Sequence, residues 1–189
     1  MWDAAFEPGK PNIVATCGGR YLCVINVNSG ELLLRYTHMN EMEIFYSLAW
    51  SRLEWGNILA SGSNLGEIRL YDLSRGVSFH AWTNQKGEAI NAVAFQDDEP
   101  KHLFTASSDS SVTLWSIGNP APPLFEDINF TNILRVQCPG ECIDIYSMAY
   151  VKHSKWILVG STDGLFGRQI SNSRERAKST TGGLMTEFK

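Results

Sequence analysis

The chain is organised by a recurring alternation of apolar and polar positions. One string, a pair of apolar residues leading into small ones, appears as Ile13-Val14-Ala15-Thr16, Ile58-Leu59-Ala60-Ser61, Leu103-Phe104-Thr105-Ala106 and Ile157-Leu158-Val159-Gly160. From Ile13 to Ile58 and from Ile58 to Leu103 the interval is 45 residues, and from Leu103 to Ile157 it is 54. A second string precedes each of these and closes on an aromatic residue: Trp2-Asp3-Ala4-Ala5-Phe6, Tyr46-Ser47-Leu48-Ala49-Trp50, Asn91-Ala92-Val93-Ala94-Phe95 and Tyr146-Ser147-Met148-Ala149-Tyr150. A third follows the small residues after a turn, as Leu22-Cys23-Val24-Ile25-Asn26, Ile68-Arg69-Leu70-Tyr71-Asp72 and Val112-Thr113-Leu114-Trp115-Ser116. Alternation with period two, rich in β-branched and aromatic residues, predicts strands with one buried face.

Turn-forming residues separate the strings: Gly18-Gly19, Asn64-Leu65-Gly66, Ser108-Asp109-Ser110 and Asp163-Gly164. Such residues reverse the chain cheaply and mark hairpins. A fourth strand is expected in the less regular stretch that follows, at Leu32–Tyr36 and Val77–Trp82. Four short strands in about 40 to 45 residues make one blade of a WD-type propeller. The expected fold is therefore all-β, a WD40-type β-propeller with about four blades present, read as part of an incomplete seven-bladed ring. Blades are expected at about 1–40, 41–86, 87–130 and 131–170, with the polar stretch 171–189 expected to be a disordered tail. The unit from Asn91 to Ile117 fits the WD pattern most closely, ending on Trp115. Tyr71 and Ile25 stand at the Trp115 place in the earlier units, and His38 and His80 lack the preceding glycine of strong WD repeats. The absent glycine puts the hydrogen-bonded His-Asp cluster of such repeats in question, and the fourth unit reads as a worn blade.

A hydrophobic content of 43% is enough for a packed core. A net charge of −4, with Lys and Arg dispersed, leaves no basic face to neutralise a phosphate backbone, so sequence-specific nucleic-acid binding is not expected. The sequence carries no apolar run of membrane-spanning length and no secretion signal, so no membrane partner is expected and an intracellular setting is. The 4 cysteines are few for the length, and reduced thiols are expected.

Cys138 and Cys142, with His153 further on, have tolerable spacing for zinc but lack a fourth ligand, so no metal or other cofactor is assigned. The chain has no nucleophile elbow, no catalytic Cys-His signature and no phosphate-binding loop, which leaves catalysis without residues to carry it. What remains is recognition, performed in propellers by loops and strand ends at the channel rim. Trp2, Tyr46 and Tyr146 each stand first in their strand string. In one reading each ring caps the core of its own blade. In the other, equivalent places on neighbouring blades converge and the rings form a cage for a methylated lysine, whose quaternary ammonium is drawn to ring faces.

The wording of several segments goes beyond a repeat type. Trp2–Pro8, Val14–Gly19, Cys23–Ile25, Phe45–Trp50, His102–Ser107 and Leu114–Gly118 resemble the leucine-rich-repeat and WD-repeat family associated with the origin recognition complex, the ORCA family. The resemblance covers roughly residues 2 to 120. A more distant one is to EED-type propellers of Polycomb repressive complex 2, whose aromatic cage falls by motif on Trp2 and Tyr46. Tyr146 lies in a string similar to another part of that cage, where Ser147 stands in place of a further aromatic. The ORCA resemblance implies a nuclear, non-enzymatic chromatin module. It would bind origin recognition complex subunits and repressive trimethyl-lysine histone tails, in support of replication initiation and heterochromatin organisation. The alternative reading is a generic WD40 scaffold for another multiprotein complex.

Overall fold

The computed structural model describes residues 1–53, 56–83, 87–118, 130–139, 144–170 and 185–188. Among these, every regular element is a strand, gathered into four four-stranded antiparallel sheets. The first sheet is the meander β1 (Asp3–Glu7), β2 (Lys10–Gly18), β3 (Tyr21–Asn26) and β4 (Glu31–Thr37), and the second is β5 (Phe45–Leu53), β6 (Gly56–Ser63), β7 (Glu67–Asp72) and β8 (Val77–Thr83). The third holds β9 (Ile90–Gln96), β10 (Glu99–Ser107), β11 (Ser111–Ser116) and β12 (Thr131–Gln137). The fourth holds β13 (Ile145–Val151), β14 (Trp156–Ser161), β15 (Gly164–Gln169) and β16 (Thr186–Phe188). Each sheet is one blade. Turns close them where the sequence places small residues; at Gly66, between β6 and β7, φ is +80°, a conformation that a Cβ disfavours.

Two boundaries differ from those read in the sequence. Thr131–Gln137, expected to open the fourth blade, is the outer strand of the third, paired with β11 from Ser111↔Gln137 to Ser116↔Thr131. In the stretch expected to be a disordered tail, Thr186–Phe188 pair with β15 and complete the fourth sheet. Met185, just before them, is buried and donates its N–H to the Gln137 carbonyl at 3.1 Å. The remainder of that stretch, 171–184, lies outside the described residues.

The strands form two compact units, Met1–Val93 and Ala94–Lys189, with the boundary inside β9. In the first unit the inward faces of two blades meet. Ala15, Cys17, Leu22 and Val24 of the first sheet pack with Phe45, Leu48, Trp50, Leu59 and Tyr71 of the second. Burying each large apolar side chain contributes roughly 1.5–3 kcal/mol. Polar contacts fix how the blades meet. Asp3 Oδ2 accepts the N–H of Leu48 at 2.7 Å and the hydroxyl of Ser47 at 3.1 Å. One blade on, Ser47 Oγ accepts the N–H of Val93 at 3.2 Å. The Trp50 indole donates to the Ala5 carbonyl at 3.0 Å, and the Asn57 amide to Glu7 Oε1 at 2.8 Å. The residue after the leading aromatic thus binds the backbone of the next inner strand, twice in succession.

In the second unit Tyr150 of β13 stacks on Phe104 of β10 at 5.6 Å and donates its hydroxyl to Asp98 Oδ1 at 2.9 Å. Burial works to raise the Asp98 pKa, but hydrogen bonds from Tyr150 and Gln96, aided by the Lys155 charge, outweigh it and hold the carboxyl below its usual range.

Candidate functional site

Trp2 stands one residue before β1, and its N–H bonds the Cys17 carbonyl at 2.8 Å, which extends the β1–β2 ladder by one step and fixes its backbone. Tyr46 is the second residue of β5. Their ring centroids lie 5.7 Å apart with an interplanar angle of 64°, an edge-to-face pair. Two neighbouring blades therefore bring their leading aromatics to one place. Trp2 is 67% exposed and Tyr46 is half-buried, so Trp2 presents its ring to solvent instead of capping a core. Tyr146, at the corresponding place in β13 of the second unit, is 61% exposed.

The loop from His38 to Ile44 is sewn to the same edge of the first unit. His38 N–H bonds the Arg20 carbonyl at 2.9 Å, and the Arg20 guanidinium returns two bonds to the His38 carbonyl. Phe45 N–H bonds the Gly19 carbonyl at 2.9 Å. Asn64, in the β6–β7 turn, accepts the Ile44 N–H at 2.7 Å and donates to the Met42 carbonyl at 3.0 Å. This leaves the side chains of Met39 and Met42 exposed at the loop tip.

Beneath the loop lies a polar network that the sequence reading missed. Buried His38 receives the Asn40 N–H on Nδ1 at 3.1 Å, so its neutral ring carries the proton on Nε2, which donates to Glu67 Oε1 at 3.0 Å. Glu43 Oε2 lies 3.6 Å from the same nitrogen, and Glu43 Oε1 accepts a short bond from Ser63. Arg69 neutralises Glu67 at 2.6 Å and lies over the Tyr36 ring. In place of the His-Asp cluster that the missing glycine put in question, His38 is paired with a glutamate. One ligand atom each from His38, Glu43 and Glu67 lie within 4.8 Å of one another, a grouping that on distance alone suits a metal. His38 Nε2 donates to Glu67, Arg69 pairs with Glu67 and Ser63 donates to Glu43, so the arrangement is a hydrogen-bond network beneath the loop.

Blade interiors carry a related pair. The Trp115 indole donates to Thr105 Oγ1 at 2.9 Å, and in the preceding blade Tyr71 and Ser61 share a hydrogen bond of 3.1 Å at the equivalent places. Of the zinc candidates, Cys142 lies outside the described residues. His153 is exposed, and buried Cys138 meets Met185 sulfur to sulfur at 3.5 Å.

Four four-stranded antiparallel blades of this repeat define a WD-repeat protein-interaction module. The chain belongs to the family of the WD domain of leucine-rich repeat and WD repeat-containing protein 1, which matches residues 1–173. It is similar to that protein of Danio rerio, 34% identical over 198 residues that cover 94% of this chain and 25% of the relative. It is also similar to that of Homo sapiens, 34% identical over 135 residues covering 64% and 20%. The chain thus spans about a quarter or less of the length of these curated relatives. A chain in the crystal structure of an active Polycomb repressive complex 2 in the basal state shares the fold. Its TM-score is 0.71 at 18% identity, over 91% of this chain and 37% of that one.

Proposed function

We propose that this chain is a non-enzymatic chromatin-interaction module of the nucleus, which seats a trimethyl-lysine side chain of a histone tail against Trp2 and Tyr46. The observation that carries the reading is the edge-to-face ring pair at 5.7 Å, with Trp2 exposed. A quaternary ammonium has no N–H to satisfy and is held by ring faces at roughly 0.5–2 kcal/mol each. Two rings support modest affinity, in keeping with a site that works beside other contacts. Asp3, the nearest acid in sequence, spends Oδ2 on Ser47 and Leu48 and Oδ1 on the Ala4 N–H. It has little left to offer an ammonium N–H, which suits the fully methylated form. Tyr146 is a further candidate on the second unit. The family membership supports origin recognition complex subunits as protein partners, and with them a role in replication initiation and heterochromatin organisation.

Titration of trimethylated against unmodified histone peptides tests this, with the Trp2→Ala, Tyr46→Ala double variant as control. Preference for the methylated peptide, lost in the variant, is expected. Equal affinities for the two peptides would remove the cage.

A second reading, a generic WD40 scaffold for another complex, draws on the exposed Met39 and Met42. Methionine side chains adapt to varied apolar partners and recur at promiscuous binding surfaces. In that case Met39→Ala and Met42→Ala, not loss of the aromatic pair, would abolish partner capture.

A further inference from the structure

The β2–β3 turn is tied to both segments that carry the rings of the candidate site. The Cys17 carbonyl accepts the Trp2 N–H at 2.8 Å. Two residues on, the Gly19 carbonyl accepts the N–H of Phe45, the neighbour of Tyr46, at 2.9 Å. A third tie joins the residues that follow the two aromatics, since the Ser47 hydroxyl donates to Asp3 Oδ2 at 3.1 Å. The backbone is thus held at or beside each ring.

Tyr46 has a further local device. Phe45 pairs with Ser63 and Ser47 with Gly62, so Tyr46 is an extra residue in the ladder and stands on a β-bulge, a feature that re-aims a side chain. Phe45 is 1% exposed, and the bulge lets the core keep it while the next side chain turns to the Trp2 ring. Tyr146 stands on the same device in the second unit, between the pairs Ile145↔Ser161 and Ser147↔Gly160.

Trp2 has no bulge, and its placement depends on Gly18. This residue closes β2 with a φ outside the left-handed region, so its backbone conformation is open to any amino acid. What it requires is room. A Cβ on Gly18 would stand 2.9 Å from Met1 Cα, 3.1 Å from Met1 N and 3.5 Å from Trp2 N. All three are backbone atoms, so no side-chain rotation relieves the first contact and the Met1–Trp2 segment itself must shift. That segment carries both the N–H bonded to Cys17 and the indole 5.7 Å from its partner ring.

We infer that Gly18 is a positioning residue for the aromatic pair. Its bare Cα lets the Met1–Trp2 backbone lie against the β2–β3 turn, and the turn then sets the spacing of Trp2 and Tyr46. The inference rests on the methyl-lysine reading for its ligand and deepens it. A pair spaced by backbone is already in place in the free chain, which spares the ordering that would otherwise oppose binding.

Gly18→Ala in the full chain tests this by two separate readouts. The first needs no ligand: nuclear Overhauser contacts between the Trp2 indole and the Tyr46 ring are expected in the wild type and lost in the variant, with the circular-dichroism signature retained. The second is the ratio of affinities for trimethylated and unmodified histone peptides, expected to fall by about 2- to 30-fold, the contribution of one ring. A glycine needed only for the turn would lower the unfolding midpoint and leave both readouts as in the wild type, which overturns the inference. Should the alanine variant fail to fold, a semisynthetic chain joined at Cys17, with an ester oxygen in place of the Trp2 N–H, breaks the Cys17 tie with Gly18 intact. It is expected to lose the same ring contacts, and their survival overturns the inference. A wild type with the ring contacts but equal peptide affinities removes the methyl-lysine ligand alone, and the ring contacts then decide the role of Gly18.

Discussion

The carboxylate of Asp3 accepts the backbone N–H of Leu48 at 2.7 Å, joining the inner strands of two successive blades through one residue. Hydrogen bonds to a charged group contribute more than neutral ones, on the order of 1.5–3 kcal/mol. Asp3→Ala leaves both the Leu48 N–H and the Ser47 hydroxyl without this acceptor, and is expected to destabilise the first unit by about that amount in denaturant unfolding. Asp3→Asn keeps an acceptor and is expected to lose less. Amide exchange at Leu48 is expected to quicken in the alanine variant more than at Leu59, deep in the same sheet.

Tyr71 and Ser61 are both buried and share one hydrogen bond. Tyr71→Phe keeps the ring and orphans the serine, an expected loss of about 1–3 kcal/mol. Ser61→Ala orphans the phenol instead. The double variant removes both polar groups, so its loss is expected to fall short of the sum of the two, and a double-mutant cycle reads that shortfall directly.

Asp98 contributes to the pH response of the second unit. Its pKa is depressed in the folded chain, so its contribution to stability is present above the unfolded carboxylate value of about 3.9 and fades as pH falls through the lower folded value. Tyr150→Phe removes one of the hydrogen bonds that lower it. Acid unfolding followed by fluorescence is expected to begin at higher pH in that variant, with little change in the slope of the neutral plateau.

Burial pushes the Cys17 thiol up to about 12 and the Cys138 thiol to about 11, which keeps the reactive thiolate scarce at neutral pH. Iodoacetamide at pH 8 is expected to leave both unmodified in the native chain and to label both after denaturation, as read by peptide mass mapping.

The inner strands were legible because their side chains alternate around a fixed aromatic ending, as in Tyr46–Trp50. The outer strand Thr131–Gln137 was misplaced because Pro120, Pro122 and Pro123 lie in a stretch that lengthens the repeat interval, which shifted the apparent start of the next unit. Trp2 and Tyr46 were named as candidates from their place in the repeat, and the structure brings them together. The exposure of Trp2 was not readable, since it depends on β1 beginning only at Asp3. Glu67 and Arg69 went unnoticed because charged residues alternating along a strand read as a solvated face, and here they neutralise each other below a loop. His38 was put in question for want of a preceding glycine, yet the Arg20 carbonyl and the Asn40 N–H hold it in place without one.

The footing of the His38–Ile44 loop and its tip are chemically separate. The footing is held by His38, Asn64 and the Arg20 carbonyl, while Met39 and Met42 project from it with most of their surface in water. Substitutions at the two methionines therefore change what the rim touches without disturbing what keeps it upright. Selection can retune partner preference at those positions with the fold left as it was, much as an interchangeable fitting is swapped on a fixed mount.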